Sequence, residues 1–250
     1  MTTRKTILFT GASSGIGRGM AREFARRGRD LALCARREDR LEALRDELTA
    51  AHPGIRVFVR PLDVLDYDCV FTVFRAFRDD LGALDRVIVN AGLGKGQPIG
   101  TGHFRANRQT AETNFVAALA QCEAAVEIFR AQNAGHLVAI SSVSAARGMR
   151  RNLTTYAATK AGLAHLAEGI RADLLGTPIR VSTIFPGFIR SEMNERVKRT
   201  PYIIDTETGS RKLVAAIERE PASAFVPWWP WAPLAFLMKR LPLRWAARLG

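Results

Sequence analysis

The sequence predicts an α/β fold, a parallel sheet with helices on both faces. Three observations point to it. Short apolar runs of strand length alternate with longer segments whose apolar residues recur at helical spacing. The intervening segments are long enough to be right-handed helical crossovers between parallel neighbours. The length, 250 residues, suits one large domain of this class better than two small ones.

Residues 5–10, Lys-Thr-Ile-Leu-Phe-Thr, read as a buried strand. Gly11-Ala-Ser-Ser-Gly15-Ile-Gly17 follows, then a helix carrying Met20, Phe24 and Ala25. A strand, a glycine-rich turn and a helix N-terminus together make an anion site. Amides point outward there and the helix dipole favours a pyrophosphate. The glycine spacing is Gly-x-x-x-Gly-x-Gly rather than Gly-x-Gly-x-x-Gly. Residues 30–35 form a second strand that ends in Ala35-Arg36-Arg37. In a nucleotide-binding βαβ unit an acidic residue at this strand end would hold a ribose 2′-hydroxyl. A guanidinium suits a 2′-phosphate instead, being planar, permanently charged and a multiple donor. The expected cofactor is therefore NADP(H) rather than NAD.

An amphipathic helix is expected over 38–51, with Leu41, Leu44 and Leu48 inward. A third strand is expected over 55–59, with Asp63-Val64 beyond its end, then a helix over 66–81 and a fourth strand over 84–89. Asn90-Ala91-Gly92 closes that strand, and small residues at a strand end let a ligand lie across the sheet. After a glycine-rich loop to Gly102, one long helix is expected over 107–132. Asn114 sits near its middle. Asn is a poor helix former, and one buried there would hydrogen-bond something specific. Residues 136–141 read as the fifth strand, ending in Ser141-Ser142. A basic loop, Arg147-Gly-Met-Arg-Arg151, leads to a helix over 154–175. Residues 179–185 form the sixth strand, Pro186-Gly187-Phe188-Ile189-Arg190-Ser191 a sharp turn, and residues 224–226 a last strand.

Within the 154–175 helix, Tyr156 and Lys160 are four apart and share a face. Leu163, Leu166, Ala167 and Ile170 continue the pattern. An ammonium near a phenol favours the phenolate, lowering the phenol's pKa from about 10. That predicts a proton donor and acceptor usable near neutral pH.

The net charge is +13, and of 37 basic residues 31 are Arg. The arginines are scattered, without an aromatic-interleaved basic stripe, so no nucleic-acid partner is expected. Cys34, Cys69 and Cys122 are far apart and lack metal-ligand spacing. No metal site, no signal peptide and a reducing, cytoplasmic setting are expected. Residues 1–221 read as the domain holding the cofactor and catalytic sites. Residues 222–250 read as a separate tail. Residues 222–238 carry no charge, and all four tryptophans follow residue 227. Pro227, Pro230 and Pro233 argue against a membrane-spanning helix. Lys239, Arg240, Arg244 and Arg248 mixed with Leu237, Leu241, Trp245 and Leu249 leave three roles open for the tail: substrate lid, oligomer contact or peripheral membrane contact.

Together these motifs resemble the short-chain dehydrogenase/reductase family, of NADP-preferring type. Thr10 to Gly17, Asn90-Ala91-Gly92, Asn114, Ser142, Tyr156-x-x-x-Lys160 and Pro186-Gly187 stand in that family's order, over roughly residues 5–192. The resemblance implies a Rossmann-like, doubly wound parallel sheet of about seven strands. It implies hydride transfer between a nicotinamide and a carbonyl or secondary alcohol, in a homodimer or homotetramer. Carried over by position, Tyr156 is the general acid in reduction. Lys160 lowers its pKa and binds the nicotinamide ribose, Ser142 holds the substrate oxygen, and Asn114 holds a proton-relaying water. Gly11, Ser13, Ser14, Gly15, Ile16 and Gly17 hold the diphosphate and adenosine end. Arg36 and Arg37 meet the 2′-phosphate, and Asp63 and Val64 the adenine. Asn90, Ala91, Gly92, Pro186, Gly187, Ile189 and Ser191 complete the cofactor site. One departure stands out: Ser142 precedes Tyr156 by fourteen residues where about thirteen is usual, and Ser144 by twelve. The uncharged, Trp-rich tail suggests a lipophilic ketone or aldehyde as substrate. The alternative of another class is a non-catalytic NADP(H)-binding regulatory or scaffold protein.

Overall fold

The computed structural model describes residues 4–192 and 200–249. Seven strands form one sheet: β1 (Thr6–Thr10), β2 (Asp30–Ala35), β3 (Val57–Pro61), β4 (Arg86–Val89), β5 (Gly135–Ile140), β6 (Ile179–Pro186) and β7 (Ser223–Val226). Their order is β3-β2-β1-β4-β5-β6-β7, and every neighbouring pair is parallel. The fold is thus the doubly wound Rossmann-like sheet expected from the sequence. Strands β1, β2, β4 and β5 are buried along their whole length, as a sheet covered on both faces requires.

Helices α1 (Gly15–Arg26) and α2 (Glu38–Ala51) lie on one face with the later α7 (Thr206–Ile217), through a cluster holding Phe24, Leu41 and Leu213. Helices α3 (Tyr67–Leu81), α5 (Ala117–Gln132) and α6 (Thr154–Asp173) cover the other, through Phe74, Phe77, Phe129 and Leu163. The sequence reading had no element at α7. Its start is set by Asp205, whose carboxylate accepts from the Thr208 amide at 2.8 Å.

Three expectations need correction. The helix expected over 107–132 is not one α-helix. It begins as α4 (Phe104–Ala111), passes through a π-helical turn at Glu112–Val116, and continues as α5. A π-turn admits one extra residue, so the apolar period read from sequence runs through it unnoticed. β3 and β4 each start two residues later than expected, because the preceding residues are turn. The sheet takes in Ser223–Val226, so the segment standing apart begins at Pro227 rather than at residue 222. That segment folds as α8 (Trp228–Arg240) and α9 (Leu243–Leu249); Trp229 is extended, so regular helix starts at Pro230. The side chains of Arg248 and Leu249 lie outside the described residues. Among the described residues no helix is long and apolar enough to cross a membrane.

At the edge of the sheet where strands begin, Arg86 is 1% exposed and donates to His136 Nδ1 at 2.8 Å. It also pairs with Glu218 and Glu220 at 2.9 and 3.3 Å. A buried guanidinium needs such partners. This network fixes the far edge and leaves the strand C-termini to form the site.

Candidate active site

Every turn singled out in the sequence falls at the C-terminal edge of the sheet, astride the β1–β4 boundary where strand order reverses. Open parallel sheets bind ligands at such a switch point. A cavity of about 1390 Å³ lies there. All the candidate residues line it except Asn114. Single ligand pockets run to about 1,000 Å³, so this cavity has room for a dinucleotide and a second molecule.

The glycine-rich turn explains its own glycines. Gly11 and Gly15 have φ of 68° and 53°, where a side chain is strained. A Cβ on Gly17 would lie 2.3 Å from the Gly11 carbonyl oxygen, so α1 can approach β1 only with hydrogen there. Asn90 braces the turn, its Nδ2 donating to the Thr10 carbonyl at 2.9 Å. Thr10 Oγ1 accepts from the amides of Asn90 and Ala91, both at 3.0 Å. Asn90 Oδ1 is buried and without a partner beside the turn. Outward amides at a helix N-terminus fit the diphosphate portion of a dinucleotide, and the open Asn90 acceptor suits a hydroxyl such as a ribose carries.

Arg36 and Arg37, at the end of β2, line the same cavity. Arg37 reaches over the turn, donating to Ser13 Oγ at 3.1 Å and Ser14 Oγ at 2.7 Å. It also pairs with Glu192 at 3.2 Å, and Arg40 joins Glu192 at 2.8 Å. These two bonds hold the Glu192 carboxyl below its ordinary pKa. Glu192 was not foreseen, because it comes to Arg37 from a distant position in the chain; Arg40, one helical turn beyond Arg37, takes its role only from Glu192. Asp63 and Val64 lie beyond β3 on the same wall.

The catalytic candidates meet across β5 and α6. Tyr156 and Lys160 lie on one face of α6, and Ser142 lies just past the end of β5. Ser142 lies beside the Tyr156 hydroxyl, close enough to lower its pKa. Ser144 donates to Ser142 Oγ twice, from its hydroxyl at 2.9 Å and its amide at 3.2 Å. Ser142 is therefore the serine that faces the tyrosine, and Ser144 orients it. Lys160 is buried, and its Nζ donates to the Ile140 carbonyl at 2.8 Å.

The electrostatics reverse one expectation. Burial raises the Tyr156 pKa, and Ser142 only partly offsets this. The ammonium expected to lower it makes no contribution large enough to appear beside these two. Burial instead pushes Lys160 down to about 8. Desolvation of both groups dominates over the pairing inferred from spacing alone.

Asn114 is fully buried in the π-turn. Its Oδ1 accepts from the Leu93 amide at 2.6 Å, and its Nδ2 donates to the Leu93 carbonyl at 2.8 Å and to Thr159 Oγ1 at 3.3 Å. A Cβ on Gly92 would lie 3.4 Å from Asn114 Oδ1 and 3.5 Å from Lys160 Nζ, so both side chains converge on Gly92. Asn114 pins the loop after β4 behind the lysine.

The tail closes the other half of the cavity. Trp231, Leu234, Ala235 and Met238 of α8 line it with Met149, Leu153 and Phe188. A Cβ on Gly187 would lie 2.0 Å from Trp231 Nε1, which explains that glycine. Trp231 packs edge-on against Phe188 and Tyr202, at 5.6 and 6.0 Å between centroids. Arg147 donates to the carbonyls of Met238 and Leu241, capping α8, and Arg150 donates to the Ala247 carbonyl at 2.9 Å. The longer, basic loop between Ser142 and Tyr156 thus serves to seat the tail. The run of basic residues was the only sequence signal for it.

A switch-point cavity with a nucleotide-type turn on one side and a Ser–Tyr–Lys group on the other defines a Rossmann-type oxidoreductase that works by hydride transfer. The chain belongs to the short-chain dehydrogenase family, whose profile matches residues 5–201. It is 53% identical over 248 residues to an uncharacterized oxidoreductase of Mycobacterium tuberculosis, covering 99% of this chain and 98% of that one. Among solved structures, levodione reductase superposes with a TM-score of 0.82 at 24% identity, over 93% of this chain and 99% of the other, a likeness of fold. A short-chain dehydrogenase from Sphingobium yanoikuyae in complex with NADPH gives 0.81 at 27% identity, over 95% and 96%.

Proposed function

We propose that the protein is an NADP(H)-dependent carbonyl reductase or alcohol dehydrogenase acting on a lipophilic ketone, aldehyde or secondary alcohol. The observation that carries this reading is that Ser142, Tyr156 and buried Lys160 line one cavity with the glycine-rich turn. The cofactor, when bound, supplies or accepts the hydride. Ser142 donates to the substrate oxygen and Tyr156 delivers the proton to it in reduction. Lys160 holds a positive charge near the phenol and the ribose, and Asn114 keeps the loop behind it in register.

Gly11, Ser13, Ser14, Gly15, Ile16 and Gly17 hold the diphosphate end, and Asp63 and Val64 the adenine. Asn90, Ala91, Gly92, Pro186, Gly187, Ile189 and Ser191 enclose the nicotinamide half. Preference for the 2′-phosphate rests on Arg36 and Arg37, where two guanidiniums replace the acid of an NAD site. The NADPH bound to the Sphingobium neighbour accords with it. The lipophilic substrate rests on the walls contributed by Met149, Leu153, Phe188, Trp231, Leu234 and Met238. The segment that starts at Pro227 acts as a cover for this half, through Trp231, Leu234, Ala235 and Met238. Phe115, Val116 and Leu119 expose apolar surface at the start of α5, in keeping with a homodimer or homotetramer. Buried free Cys34 and Cys122 suit a reducing cytoplasm.

The test follows NADPH absorbance with ketones and aldehydes of increasing chain length, for wild type and Tyr156→Phe. Consumption by wild type only, favouring NADPH over NADH and long or cyclic carbonyls, is expected. Tyr156→Phe should keep its affinity for NADPH. Wild-type turnover in that variant, or tight NADPH binding without turnover of any carbonyl or alcohol, overturns the reading.

A further inference from the structure

We propose that the outer face of α8 and α9 is a docking surface for an anionic phospholipid bilayer, on which the enzyme lies without crossing it. Helix α8 has two apolar faces. Trp231, Leu234, Ala235 and Met238, at helical spacing, turn inward and wall the cavity. Among the described residues, nothing covers the other face. Trp228 and Trp229 are 67% and 69% exposed, Phe236 and Leu237 61% and 50%, and Leu243 and Trp245 68% and 54%. Six large apolar side chains exposed within one short segment form a patch of the kind that marks an interaction surface.

The charge of the segment selects the occupant. Residues 221–250 contain no Asp or Glu. Lys239, Arg240 and Arg244 are exposed among the apolar groups. Arg240 stacks on Phe236, its guanidinium 3.6 Å from the ring centroid, which holds the cation at the edge of the apolar face. Tryptophan and leucine beside Lys and Arg, with no acids, is the composition of a helix lying in a headgroup layer. A symmetric contact with a second copy would set the same cations against one another, with no acid in the segment to relieve them. Anionic headgroups meet both features of the face at once.

The face is also held rigidly. Arg147 and Arg150, from the loop between Ser142 and Tyr156, bond to the carbonyls of Met238, Leu241 and Ala247. The surface is thereby tied to the loop that carries the site. An apolar substrate dissolved in lipid would then meet the helix whose inner side walls the cavity. The proposal does not depend on which carbonyl is reduced, and Tyr156→Phe should dock as wild type does.

Three of the four tryptophans, Trp228, Trp229 and Trp245, lie exposed on this surface, so intrinsic emission responds to it. The full-length protein is mixed with vesicles of phosphatidylcholine alone, or with about one third phosphatidylglycerol. Co-sedimentation and a blue shift of emission are expected with the anionic vesicles, and both should weaken at about 0.5 M salt, where the screening length is about 4 Å. The triple variant Trp228→Ser/Phe236→Ser/Trp245→Ser should stay in the supernatant. Lys239→Gln/Arg244→Gln, a milder change, should lower partitioning about thirtyfold, from roughly fivefold per cation. None of these residues lines the cavity, so turnover of a water-soluble ketone should be unchanged in both variants. Wild type remaining in solution with unshifted emission overturns the proposal. So does equal binding to neutral and anionic vesicles. A wild-type oligomer that falls apart in the triple variant, without any vesicle binding, assigns the face to a second copy and overturns it as well.

Discussion

Replacing Lys160 by methionine should make the fold less dependent on pH, by an amount set by the burial of the ammonium. The native pKa is pushed down to about 8 from 10.5, with desolvation as the cause. Between those values the unfolded chain binds the proton and the native chain does not. Stability therefore rises with pH across that window, and the buried charge is a cost below it. At about 1.36 kcal/mol per pKa unit, the full difference is about 3 kcal/mol. Of this, about 2 kcal/mol is recovered between pH 7 and 9.5. Lys160→Met also leaves the Ile140 carbonyl without its donor, which costs about 1–3 kcal/mol at every pH. Comparing the two proteins at two pH values cancels that constant. Urea unfolding at pH 7 and 9.5 gives four stabilities. Wild type should gain about 2 kcal/mol relative to the variant between them. Parallel pH dependence in the two proteins would refute a buried, destabilised ammonium.

Further changes probe the site and its frame. Arg36→Ala/Arg37→Ala should weaken NADPH binding by about a hundredfold, since charge-assisted hydrogen bonds contribute about 1.5–3 kcal/mol each, while NADH binding changes little. Calorimetric titration with both cofactors checks this, and equal losses would remove the 2′-phosphate assignment. Ser142→Ala should lower kcat by about 10²–10³, as loss of one oxyanion donor does, and Ser144→Ala by less than about tenfold. The reverse order in steady-state rates would make Ser144 the donor. Gly17→Ala should abolish cofactor binding or soluble expression, because its Cβ meets the Gly11 carbonyl at 2.3 Å. Gly169→Ala, in an open stretch of α6, should raise stability by about 0.5–1 kcal/mol in the same urea assay.

Much of the site was legible because its signals are local. The glycines from Gly11 to Gly17 answer to φ values and to a helix packed on its own strand. Tyr156 and Lys160 share a face because a helix repeats every 3.6 residues. What was missed depends on residues far apart in the chain. Glu192 reaches Arg37 and Arg40 across the cavity, and Arg147 reaches the end of α8. The π-turn around Asn114 leaves the apolar pattern intact on both sides, so the period gives no sign of it.

The sequence alone determined the layer architecture and the strand ends that carry the turns. Period and propensity act over a few residues, and the strand–turn–helix order then places those turns at one edge of a parallel sheet. Only the tertiary structure decided which serine faces Tyr156, and that the tail turns one apolar face inward and, among the described residues, leaves the other exposed. It also decided the sign of the Tyr156 shift. Spacing says which groups can meet, whereas desolvation depends on how much protein surrounds them once the chain has closed.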